Sequence, residues 1–218
     1  MIKQEIDWSL YAIIDKEWLK GRPVQEVGEQ IIRGGAGVIQ YRDKVSESEE
    51  FYRLALSLRQ VTEVNGIPLI INDRVDIALA IEAAGVHLGQ EDLPVEVARR
   101  IVGDEMILGG SVHSLSEYEK MKHVDYFGVG AVYPTRTKEK AEVGGIEIVR
   151  QIRARTQRPI IGIGGITLEN LSPVFKAGAD GVAVISAIMG ADDVGEATQR
   201  LRDAIMKVKS EEALNCDG

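Results

Sequence analysis

Residues 159–186 read PIIGIGGITLENLSPVFKAGADGVAVIS. Two apolar runs, beginning at Pro159 and at Gly181, are built of Ile, Val, Ala and Gly with no apolar–polar alternation. Strands of a parallel sheet, covered on both faces, have this texture. Between them Leu168–Ala177 carries a helical pattern, and Ala177-Gly178-Ala179-Asp180-Gly181 leads the chain back into the second run. The segment is one strand–helix–strand unit, with the right-handed crossover such units take.

The unit repeats towards the N-terminus. Similar runs begin near Tyr11 (YAIID), Gly37 (GVIQYRD), Pro68 (PLIIND), Gly85 (GVHLGQED), Ile107 (ILGGS) and Tyr126 (YFGVGAV), which makes eight in all. Helical patterns lie between them. Ser46–Asn65 places Phe51, Leu54, Ala55 and Leu58 at spacings of three and four, and Ser46 with Glu49 fits a capping box. Pro94–Val102, Ser114–Lys122, Gly145–Arg155 and Asp192–Lys209 repeat the scheme. Glycines at Gly34-Gly35, Gly85 and Gly178 read as left-handed helix stops. Strict alternation predicts a single (β/α)8 TIM barrel over residues 1–209. The alternative, an open doubly wound sheet, expects a glycine-rich turn after the first strand. Asp15-Lys16-Glu17-Trp18 offers none. The polar end, 210–218, reads as a frayed tail in which Cys216 is an idle thiol.

Composition narrows the function. With 26 Lys+Arg against 34 Asp+Glu the 218-residue chain carries −8, which argues against nucleic-acid and anionic-membrane partners. One cysteine excludes both an internal disulfide and a multi-cysteine zinc site. Met1–Leu10 does not read as a signal peptide, and the longest apolar run, Val182–Met189, is too short to span a bilayer. The expected location is cytoplasmic and the expected partners are small molecules; a homo-oligomer stays open.

In such a barrel chemistry sits at the C-terminal ends of the strands, and the polar residues that end each apolar run fall there. Gln40, Arg42 and Lys44 share one face of the second strand's end and suit an anion with a polar appendage. Asp73 and Asp92 end neighbouring strands, where two carboxylates repel unless a cation lies between them. Mg²⁺, which takes one or two carboxylates plus phosphate oxygens, is the expected ion, and helix capping is the competing explanation for each aspartate alone. Gly109-Gly110-Ser111 lets a ligand approach the fifth strand. Ala131–Gly144, with Pro134-Thr135-Arg136-Thr137-Lys138, is a hydroxyl- and cation-rich loop over the mouth. Gly165 and Ser186, after the seventh and eighth strands, form an expected phosphate cradle of backbone N–H groups. The three histidines read as structural. Two anion sites result, fitting two phosphorylated substrates or one bisphosphate, and a departing pyrophosphate suits the cationic one.

Taken in order, QYRDK, ND, HLGQEDLP, GGS, YPTRTK, GIGGI and VISAI resemble the thiamine-phosphate synthase (thiamine-phosphate pyrophosphorylase) family from about Tyr11 to Lys209. The resemblance implies a transferase that joins 4-amino-2-methyl-5-hydroxymethylpyrimidine diphosphate to a 4-methyl-5-(2-phosphoethyl)thiazole, carboxylated or not. It implies that pyrophosphate is released by a dissociative path through a pyrimidine carbocation. It implies that Gln40, Tyr41, Arg42, Asp43, Lys44, Asn72, Ser111 and Lys138 bind the pyrimidine diphosphate, with Arg42, Lys44, Ser111 and Lys138 as catalytic residues. Asp73 and Asp92 would hold Mg²⁺, and Thr135, Arg136, Thr137, Gly165, Ile185 and Ser186 the thiazole phosphate. Asp43, where relatives often carry Glu, and Ala131, where they often carry Pro, depart from the pattern without removing a named ligand. Val112-His113-Ser114-Leu115 resembles the related thiazole tautomerase, but the histidine that group uses after the sixth strand is replaced here by Ala131. A non-catalytic phosphate binder is the third alternative.

Overall fold

The protein was analysed as a computed structural model that describes residues 6–135 and 144–216. Eight strands run β1 (Leu10–Asp15), β2 (Val38–Arg42), β3 (Leu69–Asn72), β4 (Gly85–Leu88), β5 (Ile107–Val112), β6 (Tyr126–Val129), β7 (Ile160–Ile163) and β8 (Gly181–Val184). They close in that order into a barrel, and every pairing, β8 with β1 included, is parallel. The helices are α1 (Lys16–Leu19), α2 (Val24–Arg33), α3 (Ser48–Val64), α4 (Val75–Ala80), α5 (Val95–Val102), α6 (Leu115–Tyr118), α7 (Gly145–Arg153), α8 (Ser172–Lys176), α9 (Ser186–Met189) and α10 (Val194–Cys216). The (β/α)8 expectation holds, and the eight apolar runs are the eight strands.

Two apolar layers account for those runs. Outward-facing strand residues such as Leu10, Ile39, Leu69, Val86 and Leu108 are fully or nearly fully buried beneath the helices. Inward-facing ones, Tyr11, Ile13, Val38, Ile70, Ile107, Tyr126, Ile161 and Ala183, fill the barrel itself, with Ile6 and Trp8 packed against them. Both faces of each strand lose water, so nearly every position must be apolar.

The helices depart from the periodicity in instructive ways. α1, α2, α4 and α9 are additional to the patterns read above. α2 is amphipathic, with Val24, Val27 and Ile31 buried. The Ser46–Glu49 capping box does not form, because α3 starts at Ser48 behind an N-cap Glu47 without a side-chain cap bond. Ser46 is instead bound from upstream, its N–H donating to Asp43 Oδ1 at 2.9 Å. Gly35 (φ +92°) and Gly178 (φ +97°) are left-handed stops, whereas the left-handed residue before β4 is Glu82 (φ 52°) and Gly85 opens the strand. Residues 210–216 continue α10 rather than fray, for Ser210-Glu211-Glu212-Ala213-Leu214 contains no helix breaker. Among the described residues no helix is long and apolar enough to cross a membrane.

Candidate active site

The end of β2 sorts its residues by pleat. Gln40 points into the barrel and is buried. Arg42, one pleat higher, ion-pairs with Asp15, its register partner at the end of β1. Asp15 is itself buried and also caps α1, accepting from Glu17 N–H at 3.0 Å. Lys44 lies beyond the strand, half exposed, and ion-pairs with Asp73. Tyr41 and Asp43 take the opposite face. Tyr41 is fully buried, packs edge-on to Phe51 with centroids 5.3 Å apart, and donates to Asp43 Oδ2 at 3.1 Å. Asp43 Oδ1 accepts from Val45 and Ser46 N–H. The side chains of these two expected substrate-binding residues are thus buried and engaged with Phe51, one another and the turn that follows.

Asp73 and Asp92 come together as the sequence predicts. Asp73 follows β3 in the left-handed region (φ 61°), uncommon for a residue with a side chain, and its N–H donates to His87 O at 2.8 Å. Asp92 Oδ2 accepts from Gly89 N–H at 2.7 Å. Burial, and then the Asp73 carboxylate beside it, push the Asp92 carboxyl above the ordinary range, against the pull of Gly89 N–H and Lys44. Neither aspartate caps a helix: the N-caps of α4 and α5 are Arg74 and Pro94. Capping therefore does not explain the pair. Two hard oxygen donors facing one another beside a lysine fit Mg²⁺. Among the described residues no group of three or more His, Cys, Asp or Glu that could hold a metal ion is present.

Beneath the rim runs a polar chain through the barrel. Gln40 Nε2 donates to Tyr11 Oη at 2.9 Å, and Tyr11 Oη meets Tyr126 Oη at 2.7 Å. Tyr126 Oη meets His87 Nδ1 at 2.9 Å, and His87 Nε2 meets Ser111 Oγ at 2.8 Å. Gly109 makes room for it, since a Cβ there would lie 2.3 Å from the Tyr126 ring and 2.5 Å from His87 Nδ1. His113 is a structural histidine, its N–H and Nδ1 both bound to Glu117 Oε2.

The loops after β6 and β7 are pressed together. Tyr133 N–H donates to Gly164 O at 3.0 Å, and Tyr133 Oη to Asn170 O at 2.8 Å. Gly165 (φ +63°) must be glycine, as a Cβ would lie 2.4 Å from Pro134 O. The glycine run thus serves loop packing first, and that packing brings Gly165 against the segment leading into Thr135. Arg136, Thr137 and Lys138 lie outside the described residues. Ile185 is the N-cap of the four-residue α9 and the exposed Ser186 its first residue, with the N–H groups of Ile188 and Met189 donating back to Ile185 O at 3.1 and 2.8 Å. Asn72 is half-buried at the end of β3, adjoining Asp73.

Sequence reasoning missed Asp15, Tyr11, Tyr126 and the bond from His87 to Ser111. Asp15 had a signal, for it ends its apolar run as the other rim residues end theirs.

A closed barrel with a cation-lined carboxylate pair at its C-terminal rim defines a (β/α)8 enzyme acting on anionic small molecules. The family described as thiamine monophosphate synthase matches residues 10–188. A thiamine-phosphate synthase of Chloroflexus aurantiacus is 46% identical over 96% of this chain and 97% of its own. One from Alkaliphilus oremlandii is 44% identical over 92% and 97%. The solved thiamine phosphate pyrophosphorylase of Pyrococcus furiosus superposes with a TM-score of 0.84 at 42% identity, covering 93% of this chain and 98% of that one. The chain belongs to the thiamine monophosphate synthase family, and is a transferase of thiamine biosynthesis.

Proposed function

We propose that this rim joins the pyrimidine diphosphate to the thiazole phosphate by dissociative loss of pyrophosphate. The bond from the methylene carbon to the diphosphate oxygen breaks, its electron pair leaves with pyrophosphate, and the thiazole nitrogen then bonds the carbon. The juxtaposition of Asp73 and Asp92 beside Lys44, with no helix to cap, carries this reading. Asp73 and Asp92 would hold Mg²⁺, which when bound neutralises charge on the leaving pyrophosphate. Lys44 and Arg42 bind the diphosphate, and Asp15 fixes the Arg42 guanidinium so that little order is lost on binding. Gln40, Asn72 and Ser111 orient the pyrimidine, Tyr41 and Asp43 contributing through their backbone. Lys138, on the strength of its motif, completes the cationic set. Thr135, Arg136, Thr137, Gly165, Ile185 and Ser186 receive the thiazole phosphate on hydroxyls, a guanidinium and backbone N–H groups. We place the enzyme in the cytoplasm.

The test is turnover of purified protein with both substrates, following thiamine phosphate and pyrophosphate with Mg²⁺ present and after its removal by chelation. Formation of both products only with Mg²⁺ is expected. No product with Mg²⁺ present refutes the reading, and turnover of the thiazole phosphate alone would mark an isomerase instead.

A further inference from the structure

The polar chain inside the barrel joins two residues of the proposed pyrimidine site, Gln40 and Ser111, through three that have no assigned role. Its geometry permits two directions, because either tyrosine hydroxyl can donate to the other and the two His87 ring nitrogens can exchange roles. Gln40 donates its amide N–H to Tyr11 Oη, and in one of the two directions Tyr11 passes its own proton to Tyr126 Oη, 2.7 Å away. In that direction Tyr126, accepting from Tyr11, gives its proton to His87 Nδ1, 2.9 Å away. A neutral imidazole that accepts at Nδ1 carries its proton on Nε2, and that proton meets Ser111 Oγ. In that direction Ser111 accepts, which leaves its hydroxyl hydrogen for a further partner; in the reverse direction Ser111 donates to His87. Burial pushes both phenols upward, so neither surrenders its proton near neutrality.

We propose that Tyr11, Tyr126 and His87 are positioning residues that lock the Ser111 hydroxyl as a hydrogen-bond donor towards an acceptor atom of the pyrimidine diphosphate. The inference rests on the reading that Ser111 faces that substrate. The same chain fixes Gln40, leaving its carbonyl oxygen and second N–H as a paired acceptor and donor. The site therefore prefers a heterocycle presenting an acceptor to Ser111 over one presenting a donor there. Tyr11, Tyr126 and His87 are buried and bonded on both sides, which makes the relay rigid, because leaving any of them unpaired costs more than its bond contributes.

Two measurements test this. The first needs no turnover: ¹⁵N spectra of the His87 ring in the wild-type protein should show Nδ1 unprotonated and Nε2 protonated. The opposite tautomer, or a doubly protonated ring at neutral pH, overturns the relay. The second is a double-mutant cycle. Tyr126→Phe keeps the ring but removes the link, and should lower kcat/KM for the pyrimidine diphosphate about 3- to 10-fold, leaving KM for the thiazole phosphate unchanged. In a Ser111→Ala background the same substitution should cost less than about twofold. Losses that multiply would show that Tyr126 does not act through Ser111. Should Tyr126→Phe fail to fold, Tyr11→Phe breaks the chain one bond further away. Wild-type turnover by Ser111→Ala would overturn the substrate contact on which the proposal stands, while leaving the tautomer result to be read separately.

Discussion

Asp43 and Asp92 are both carboxylates at the barrel's rim, and their surroundings treat them oppositely. Burial opposes ionisation of Asp43, but N–H groups of Ser46 and Val45 and the Tyr41 hydroxyl outweigh it and hold the carboxyl below its ordinary range. Burial also opposes ionisation of Asp92, and there the Asp73 carboxylate adds to the penalty while one N–H and a lysine only partly offset it. Asp43 is satisfied by its own chain and holds a turn. Asp92 is left against another negative charge. A cation would complete such an arrangement, which is the basis of the Mg²⁺ proposal.

The largest effect should come from removing that unsatisfied charge. Asp92→Asn is expected to lower kcat/KM by about 10²- to 10³-fold, the scale of losing a group that stabilises charge in the transition state. The metal-free variant should at the same time melt at a higher temperature than the metal-free wild type, because it relieves the clash with Asp73. A steady-state assay and a thermal melt in chelator check both halves. Lower stability joined to retained activity would erase the distinction between the two aspartates.

Asp15 supplies an intermediate case, a buried acid with a cationic partner. Asp15→Ala leaves Arg42 unpaired and α1 without its cap, and should cost about 2–3 kcal/mol. In a chain of this size that is a fall in Tm of roughly 5–10 °C. KM for the pyrimidine diphosphate should rise as well, since Arg42 must then be ordered on binding. A melt and a substrate titration separate the two consequences. A changed Tm with unchanged KM would make Asp15 a structural acid like Asp43.

These differences were partly legible in the sequence. All eight strands were, because burial on both faces leaves continuous apolar runs. The polar residues ending those runs located the rim, and Asp73 and Asp92 could be paired because adjacent strands carry them. Period two also separates Gln40, Arg42 and Lys44 from Tyr41 and Asp43, which lie on opposite faces of the same strand end. The chain from Gln40 to Ser111 was not legible. Its central contact joins Tyr11 to Tyr126, 115 residues apart, and depends on how far each strand is staggered around the barrel. Gly109 and Gly128 hint at side chains lying across β5 and β6 without saying which. Helix starts were misjudged where a loop carboxylate, Asp43, took the N–H that a capping serine needs to stay in place.

The smallest effect, and the finest test of the contrast, is its dependence on pH. The folded Asp43 carboxyl titrates below its unfolded counterpart, so its ionisation stabilises the fold. That contribution is fully present above the ordinary carboxylate range and is lost as pH falls through the folded value. Asp43→Asn should therefore cost about 1–2 kcal/mol at neutral pH, and the gap to wild type should close in acid. Asp92 has the opposite sign: its folded carboxyl titrates above the unfolded one, so ionisation penalises the metal-free fold, and the penalty grows as pH rises through that interval. The advantage of Asp92→Asn should thus be greatest near neutrality and vanish below the ordinary carboxylate range. Urea melts of the two metal-free variants from neutral to acid pH should show stability differences of opposite sign converging on zero, and parallel curves would mean that the two aspartates do not differ in the way their neighbours dictate.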